Sequence, residues 1–330
     1  MTRVAFMDVW ADAVRDEVRR AAPPGVEPSF AVSYEPAHQR ELAEDAEVIV
    51  PGFAKVDEAL LASAPRLRLV HKWGVGLDAI DQDAMRRRGI ALAVTAGANA
   101  GPVAELAVAL MLAVYRRIPY VDRALRQGRW PTAEMRESCY QIAGKTVGLV
   151  GFGAIGRMLA RRLAGFDARI VYFDPQRADA ATERDLQASP LPLEDLLAQS
   201  DIVSLHLPLT DRTAKLIDAA AISRMKDGAV LINTARGGLV DEAALADALQ
   251  RGKLRGAGLD AFEQEPPPAN HPLLALEQVI ATPHAGGGVF DNVAPVARHV
   301  FANIERFLRG EALPAADLVI APTRREAVGA

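Results

Sequence analysis

Residues 145–174 read KTVGLVGFGAIGRMLARRLAGFDARIVYFD, and this stretch decides the fold. The run 146–150 is short and apolar, as in a buried parallel strand, and 157–163 has the pattern of a helix. The glycines at the G-x-G-x-x-G spacing between them are Gly151, Gly153 and Gly156. In this motif the glycines allow a tight turn, a close backbone approach to a pyrophosphate and close helix–sheet packing. Free amides at the helix N-terminus face the anion, so the stretch predicts a dinucleotide site.

An acidic residue ends the second strand of this unit. Asp174 follows the apolar run 169–173, at the place where a carboxylate can accept hydrogen bonds from an adenosine ribose. Its charge repels a 2′-phosphate, which favours NAD over NADP, although Arg177 lies nearby. The alternative is an exposed turn aspartate before Pro175.

The length, composition and charge of the chain limit the kinds of protein to which it can belong. A length of 330 residues, half of them hydrophobic, suits two domains of ordinary size. A net charge of −4 without a basic cluster argues against nucleic acid as a partner. Cys139 is the only cysteine, which excludes an intrachain disulfide, and no histidines have metal-site spacing. The sequence starts without a signal-peptide pattern and has no membrane-length apolar run. We therefore expect a cytoplasmic protein with no metal and no membrane partner.

Short apolar runs alternate with helical patterns along the chain, which predicts parallel strands joined by crossover helices. The predicted strands are 4–9, 28–34, 48–50, 68–71, 91–94, 146–150, 169–173, 202–207, 229–233, 256–260 and 279–281. Asn99 is a candidate N-cap for a helix, 101–117, that is apolar around most of its circumference, as in a buried or interface helix. Residues 119–144 are irregular and predict a projecting arm. A final helix spans 293–308, and the last dozen or so residues are expected to form a loose tail.

Two loops that follow predicted strands carry groups suited to a carboxylate. Residues 72–78 read KWGVGLD, and the two glycines expose backbone N–H groups that can hold an anion. A plain glycine turn fits that spacing equally well. Arg236 follows the strand 229–233, where ligands of parallel sheets bind, and its guanidinium can grip a carboxylate through two parallel hydrogen bonds. A solvated loop arginine is the alternative.

Glu265 and His284 lie in two further loops after strands. A carboxylate that orients an imidazole and stabilises its cation makes a histidine a candidate acid/base. Alone, His284 is equally consistent with a structural histidine, and the sequence does not show that the two side chains meet. His206 also ends a strand, where a structural role is favoured over one in a cofactor cleft.

In their order along the chain, these stretches resemble the D-isomer-specific 2-hydroxyacid dehydrogenases over about residues 45–310. The motifs that carry the resemblance are 74–81, Asn99 with 103–105, 151–156 with Asp174, 206–210, 233–237, 258–266 and 282–284. Ala79 stands where the family often has asparagine and Ala96 where proline is usual. Neither position carries chemistry.

The resemblance implies a role for each matching residue. Arg236, Glu265 and His284 form the implied catalytic set. The implied substrate-binding residues are Trp73, Gly74, Val75, Gly76 and Arg236. The implied cofactor-binding residues are Gly151, Gly153, Ala154, Ile155, Gly156, Asp174, His206, Pro208, Thr213, Thr234, Ala235, Asp260, His284 and Gly286.

The resemblance also implies the architecture and the activity. The expected fold is α/β with two Rossmann-like domains: an NAD-binding domain, 99–286, inserted in a smaller flavodoxin-like substrate-binding domain, 1–98 and 287–330, with the cleft between them. The implied activity is hydride transfer between NADH and a small 2-keto acid, of the glyoxylate, hydroxypyruvate or phosphoglycerate type, by a homodimer. The alternative is an NAD(H)-sensing, corepressor-like binding protein of the same fold.

Overall fold

The computed structural model describes residues 1–322, which form two compact units. Of the described residues, the first unit contains Met1–Asn99 and 289–322, and the second contains Ala100–Gly288. The second unit is thus inserted in the sequence of the first. The boundaries expected from the sequence differ from this division by one or two residues.

The first unit is built on a six-stranded sheet. Its strands are β1 (Thr2–Phe6), β2 (Val26–Phe30), β3 (Val48–Val50), β4 (Leu69–His71), β5 (Ala91–Ala93) and β13 (Leu318–Ile320). Its helices are α1 (Asp12–Ala21), α2 (Pro36–Glu44), α3 (Glu58–Ser63), α4 (Gln82–Arg88) and α13 (Val293–Leu308). The strand order β2-β1-β3-β4-β5-β13 is the flavodoxin-like order with one added edge strand. Only the β13–β5 pair of this sheet is antiparallel.

The second unit is built on a seven-stranded parallel sheet. Its strands are β6 (Thr146–Val150), β7 (Arg169–Phe173), β8 (Ala188–Pro190), β9 (Ile202–Leu205), β10 (Ala229–Asn233), β11 (Leu254–Leu259) and β12 (Val279–Ala281). Its helices are α5 (Ala100–Tyr115), α6 (Ile118–Arg126), α7 (Thr132–Ser138), α8 (Ala154–Leu163), α9 (Ala180–Asp185), α10 (Leu193–Gln199), α11 (Ala219–Arg224) and α12 (Glu242–Gln250). The order β8-β7-β6-β9-β10-β11-β12 is that of a doubly wound dinucleotide-binding sheet, which confirms the predicted fold class.

Strands β7 and β8 are added on one side of β6, and the strands from β9 onward are added on its other side. Sheets of this kind bind ligands at the point between β6 and β9 where the order reverses. Gly151 ends β6 with φ +97°, and a Cβ there would lie 2.5 Å from the carbonyl oxygen of His206, which follows β9. Only glycine fits this conformation and this approach. The glycine turn and the end of β9 are therefore packed directly together.

Several predicted elements were wrong. The region 119–144, expected to be irregular, contains most of α6 and all of α7, while α9 and β8 were not predicted. The start of the expected loose tail is in fact β13, paired with β5. The remainder of that tail, residues 323–330, lies outside the described residues.

Across residues 1–322, no helix is long and apolar enough to cross a membrane. The same residues contain no group of three or more histidine, cysteine, aspartate or glutamate side chains that could hold a metal ion.

Candidate active site

His284 and Glu265 meet in the second unit, on the loops that follow β12 and β11. His284 Nδ1 lies 2.8 Å from Glu265 Oε2, and Glu265 Oε1 accepts the N–H of Phe262 at 3.0 Å. The side chains are 29% and 36% exposed, so both are reachable from solvent. The structure thus brings together two residues that the sequence could only nominate separately.

The environment of Glu265 favours its ionised form. Burial by itself raises the pKa of this carboxyl, but hydrogen bonds from His284 and from the Phe262 N–H lower it, as do the charges of His284 and Arg236. The net pKa of Glu265 lies below its ordinary value. A carboxylate on Nδ1 fixes the ring orientation and stabilises the imidazolium. The pair therefore has the geometry of an oriented acid/base.

Asp260 holds the loop that carries His284. Its buried carboxylate accepts the Thr282 hydroxyl at 2.6 Å and the N–H groups of Ala285 and Gly286 at 2.8 and 2.9 Å. Its carbonyl oxygen accepts the N–H of His284. His284 has φ +51°, a left-handed conformation that costs about 1–3 kcal/mol for a non-glycine residue. The Asp260 contacts offset this strain, a role that no local sequence pattern indicates.

Arg236 is presented by a turn that Asn233 stabilises. Asn233, buried at the end of β10, accepts the N–H of Ala235 at 3.0 Å and donates to the carbonyl oxygen of Arg236 at 2.8 Å. The guanidinium donates to the carbonyl oxygen of Ala235 at 2.7 Å. The side chain is partly buried. Arg236 and His284 lie on the same unit, and the charge of Arg236 acts on the carboxylate of Glu265.

The glycine turn leaves a cradle at the N-terminus of α8. Gly156 is buried, and a Cβ there would lie 2.3 Å from the carbonyl oxygen of Gly151. Gly153 and Ala154 are exposed, and a Cβ at Gly153 would meet no atom within 4 Å. No side chain caps this helix terminus. Open space in front of uncapped amides suits a pyrophosphate.

Asp174 borders the same cradle. Its carboxylate accepts the N–H of Phe152 and that of Gln176, both at 2.8 Å. Arg177, the nearby cation, is paired with Glu183 through two contacts of 2.8 and 3.0 Å. The hydrogen bonds from Arg177 and Tyr172 lower the pKa of Glu183 to about 2. The positive charge of Arg177 is therefore balanced by the carboxylate of Glu183 in the same unit.

Two polar atoms at the ends of β9 and β10 are buried without a partner in the described part of the chain: His206 Nδ1 and Thr234 Oγ1. His206 Nε2 bonds Ser204 Oγ at 2.8 Å, and burial lowers the pKa of His206 to about 3, so the ring is neutral. Buried polar atoms are normally hydrogen-bonded, so such exceptions need an explanation. A polar ligand beside Gly151 supplies one, and these residues fit a dinucleotide.

The loop after β9 is closed by its own hydrogen bonds. Thr213 Oγ1 donates to the carbonyl oxygen of Pro208 at 2.7 Å and accepts the N–H of Thr210 at 2.8 Å. This arrangement fixes the course of residues 208–213 beside the end of β9. The predicted cofactor residues Pro208 and Thr213 therefore belong to one ordered loop.

In the first unit, the glycine loop 74–76 follows β4. Gly74 donates its N–H to Thr95 Oγ1 at 2.7 Å, and its carbonyl oxygen accepts the N–H of Thr95 at 3.0 Å. The amides of Val75 and Gly76 donate no hydrogen bond to any of residues 1–322. Two of the three predicted backbone donors are thus available for an anion. Thr95, which fixes this loop, was missed by the sequence reasoning.

Trp73 packs against aromatic side chains of the first unit. Its ring centroid lies 4.9 Å from that of Trp10 and 6.2 Å from that of Phe6. The side chain is partly buried at the edge of the core beneath α13. The ring therefore supports the glycine loop by packing, and its backbone leads into that loop.

Known proteins are similar to this chain along most of its length. Residues 108–286 match the model of the D-isomer specific 2-hydroxyacid dehydrogenase NAD-binding domain. A glyoxylate reductase of Korarchaeum cryptofilum is 42% identical over 78% of each chain. A D-3-phosphoglycerate dehydrogenase of Mycobacterium tuberculosis is 43% identical over 81% of this chain and 50% of its own, so this chain spans about half of that relative's length. The structure of an NAD-dependent formate dehydrogenase from Staphylococcus aureus in complex with NAD is similar with a TM-score of 0.84, at 27% identity over 98% of this chain and 100% of that one.

Proposed function

The chain belongs to the family of D-isomer specific 2-hydroxyacid dehydrogenases, and on that premise we propose that it reduces a small 2-keto acid to the D-2-hydroxy acid with NADH, or catalyses the reverse. It is an oxidoreductase of hydroxy acids. The observation that carries the proposal is the 2.8 Å contact between His284 Nδ1 and Glu265 Oε2. No observation at these loops favours a different function.

Each polar residue then has a defined role in reduction. Bound NADH supplies the hydride that C2 of the substrate receives. His284, protonated and oriented by Glu265, gives its Nε2 proton to the keto oxygen, and in oxidation neutral His284 takes a proton from the hydroxyl. Arg236 binds the substrate carboxylate and polarises the keto oxygen. The amides of Val75 and Gly76 are the proposed backbone donors to the carboxylate.

We propose NAD as the cofactor in preference to NADP. The cradle at Gly153 would take the pyrophosphate, and Asp174 the hydroxyls of the adenosine ribose. The charge of Asp174 disfavours a 2′-phosphate. Arg177, the residue that could offset that effect, is paired with Glu183. These contacts support a preference for NADH.

The proposed substrates are glyoxylate and hydroxypyruvate, with phosphohydroxypyruvate as a second class. The test is to mix purified protein with NADH or NADPH and each of these acids, pyruvate and phenylpyruvate, and to follow the loss of reduced-nicotinamide absorbance. We expect turnover of at least one acid with NADH and slower turnover with NADPH. Tight NADH binding without turnover of any 2-keto acid would contradict the proposal and favour a cofactor-sensing binding protein.

We further propose that the protein is a homodimer that associates through the second unit. Trp130 is 81% exposed, and Ile118 and Leu125 of α6 are each about half exposed. Large apolar side chains grouped on and beside one helix are typical of an interaction site. Sedimentation equilibrium is expected to give twice the chain mass. A monomer at micromolar concentration would contradict this proposal.

We propose a reducing cytoplasm as the location. The described chain holds one free cysteine, Cys139, which suits a reducing compartment. The proposed cofactor, NADH, is also available in the cytoplasm. Cell fractionation would test it, and enrichment in a membrane or secreted fraction would contradict it.

A further inference from the structure

The segment that carries Glu265 has little structure of its own. Residues 263–266 are exposed and, like the rest of 262–268, lie outside any helix or strand. Pro266, Pro267 and Pro268 follow directly, and proline has no backbone N–H to donate. No helix or strand therefore fixes the position of the Glu265 carboxylate. Besides the N–H of Phe262, which Glu265 Oε1 accepts, further contacts must hold the segment so that the carboxylate stays 2.8 Å from His284.

Glu242 contacts this segment on both sides of Glu265. Its Oε1 accepts the N–H of Glu263 at 2.8 Å, and its Oε2 lies 2.9 Å from His271 Nε2. The side chains of Glu242 and His271 are each 13% exposed. Contacts of this kind are strengthened by removal from water. One carboxylate thus binds the chain two residues before Glu265 and six residues after it.

Both anchors rest on well-packed parts of the second unit. Glu242 is the first residue of α12, whose N-cap Asp241 accepts the N–H of Ala244 and whose Leu245 and Leu249 are buried. The His271 ring meets the buried ring of Phe262 edge-on, with centroids 5.6 Å apart. The segment is therefore tied to a helix at one end and to a core aromatic ring at the other.

Neighbouring charged groups do not compete with His271 for the carboxylate of Glu242. Lys215 lies 3.5 Å from Asp241 and 3.7 Å from the Glu263 side chain. It thus contacts the acidic neighbours of Glu242 and leaves both oxygens of Glu242 to their partners. His271 Nδ1 is buried and has no partner among residues 1–322, so Nε2 is the nitrogen that carries a proton toward Glu242.

We propose that Glu242 and His271 are positioning residues of the reaction, which act by holding Glu265 in register with His284. The inference rests on the proposed function, because it gives the Glu265–His284 pair its task. A displacement of about 1 Å in a catalytic group can cost about 100-fold in rate. A lost anchor would release the proline-rich segment and lengthen the Glu265–His284 contact without touching the cofactor cradle at Gly153.

The first test is the pair His271→Leu and His271→Gln. Leucine removes the donor, whereas the glutamine amide can still donate to Glu242. We expect His271→Leu to lower kcat for keto-acid reduction about 10- to 100-fold at pH 9 and less at pH 6, because protonated His284 loses its carboxylate support. His271→Gln should recover most of that loss. NADH affinity should stay within about twofold in both, and His38→Leu, in the first unit, serves as a control without effect.

Glu242→Ala is the second variant, for the case that His271→Leu does not fold. It leaves the His271 ring on Phe262 and is expected to show the same alkaline loss. A wild-type pH–rate profile in either variant would overturn the proposal. So would an equal loss in His271→Gln and His271→Leu, since that pattern indicates packing alone.

A substrate-free measurement separates this proposal from the proposed function. In an NMR titration of the histidine rings, His284→Gln identifies the His284 signal. We expect its titration midpoint to move to lower pH in His271→Leu and to return in His271→Gln. If the wild type turns over no 2-keto acid, the proposed function fails, while this titration still decides whether the anchors position Glu265. An unmoved midpoint overturns the positioning role.

Discussion

At the scale of single residues, the proposed chemistry depends on one hydrogen bond whose partners are 19 residues apart in sequence, Glu265 and His284. The lowered pKa of Glu265 means that this carboxylate stays charged through the neutral range and is neutralised only as the pH falls well into the acid range. Its charge supports the protonated imidazole, which is the form that reduction needs. Oxidation needs the neutral ring and gains nothing from that support.

Glu265→Gln is therefore expected to affect the two directions differently. The amide retains the shape but loses the charge, so protonated His284 should persist only to lower pH than in the wild type. Reduction should fall most on the alkaline side, while oxidation should change less. The measurement is kcat/KM against pH in both directions, with His284→Ala as the reference for loss of the acid/base itself, about 10²- to 10⁴-fold. Superimposable profiles for Glu265→Gln and the wild type would show that the carboxylate has no such role.

Asp174 is a second residue whose charge should matter more than its shape. In Asp174→Asn one oxygen remains to accept a backbone N–H, but the repulsion of a 2′-phosphate is lost. We expect the preference for NADH over NADPH, as a ratio of kcat/KM values, to fall about tenfold or more, since each 1.4 kcal/mol of differential binding is a factor of ten. Asp185→Asn changes an exposed carboxylate at the end of α9 and is the control. An unchanged ratio would remove Asp174 from the account of cofactor choice.

At the scale of elements, the β6–α8 turn contains one glycine with no room for a side chain and one with open space beside it. Gly156 has no room for a Cβ because of the carbonyl oxygen 2.3 Å away, whereas Gly153 has open space and φ −76°. The sequence motif predicts different tasks for the two glycines, and their surroundings differ accordingly.

Gly153→Ala and Gly156→Ala should therefore fail in different ways. Gly156→Ala overpacks the turn and is expected to destabilise the fold by about 1–3 kcal/mol. Gly153→Ala should leave the melting temperature nearly unchanged while it weakens NADH binding about tenfold or more, because its methyl group enters the space for the pyrophosphate. Calorimetric titration with NADH and thermal unfolding distinguish the two. Wild-type affinity in Gly153→Ala would place the dinucleotide elsewhere.

Local patterns predicted the elements that bury apolar residues at a regular period. Strands β3, β6, β7, β10 and β12 and helix α13 begin and end where the sequence predicts them. Helix α6 lies largely in the region expected to be irregular, although Pro119 is in its first turn, where proline is favourable. Helix α9 had a usable signal in its N-cap Asp179, which accepts two backbone N–H groups. Strand β13 had none, because its partner β5 lies more than 200 residues away.

Sequence motifs predict the members of the candidate site, but they do not predict the contacts that hold those members. Motif order nominated Arg236, Glu265 and His284, but no local pattern shows that Asp260 ties down the His284 loop or that Glu242 brackets Glu265. Those contacts join segments that only the folded sheet brings together. The residues that hold a site are therefore harder to read from sequence than those that act in it.

At the scale of the whole molecule, a buried histidine makes stability depend on pH. His71 is fully buried at the end of β4, where it accepts a hydrogen bond from Asn303, and burial lowers its pKa from 6.5 to about 4. Below pH 6.5 the unfolded chain takes up a proton that the folded chain does not bind until about pH 4. Stability should therefore fall as the pH decreases through this range, by about 3 kcal/mol from this group.

His71→Gln tests that dependence. Glutamine can accept the Asn303 hydrogen bond but does not titrate, so the loss of unfolding free energy between pH 6.5 and 4 should be smaller than in the wild type. Urea unfolding at several pH values measures it. An equally steep loss in the variant would mean that other groups, such as His206 with its similarly lowered pKa, account for the acid sensitivity.

The fate of the hydride tests the proposed reaction itself. NADH that carries deuterium at both C4 positions would be incubated with the protein and the best 2-keto acid of the panel other than glyoxylate, whose product glycolate has no D or L form. The product would be analysed by mass spectrometry after separation of enantiomers. Hydride transfer to C2 predicts a D-2-hydroxy acid with one deuterium at C2, formed at a rate that falls in His284→Ala. Product without deuterium, a product of L configuration, or bound NADH that no 2-keto acid consumes would contradict it.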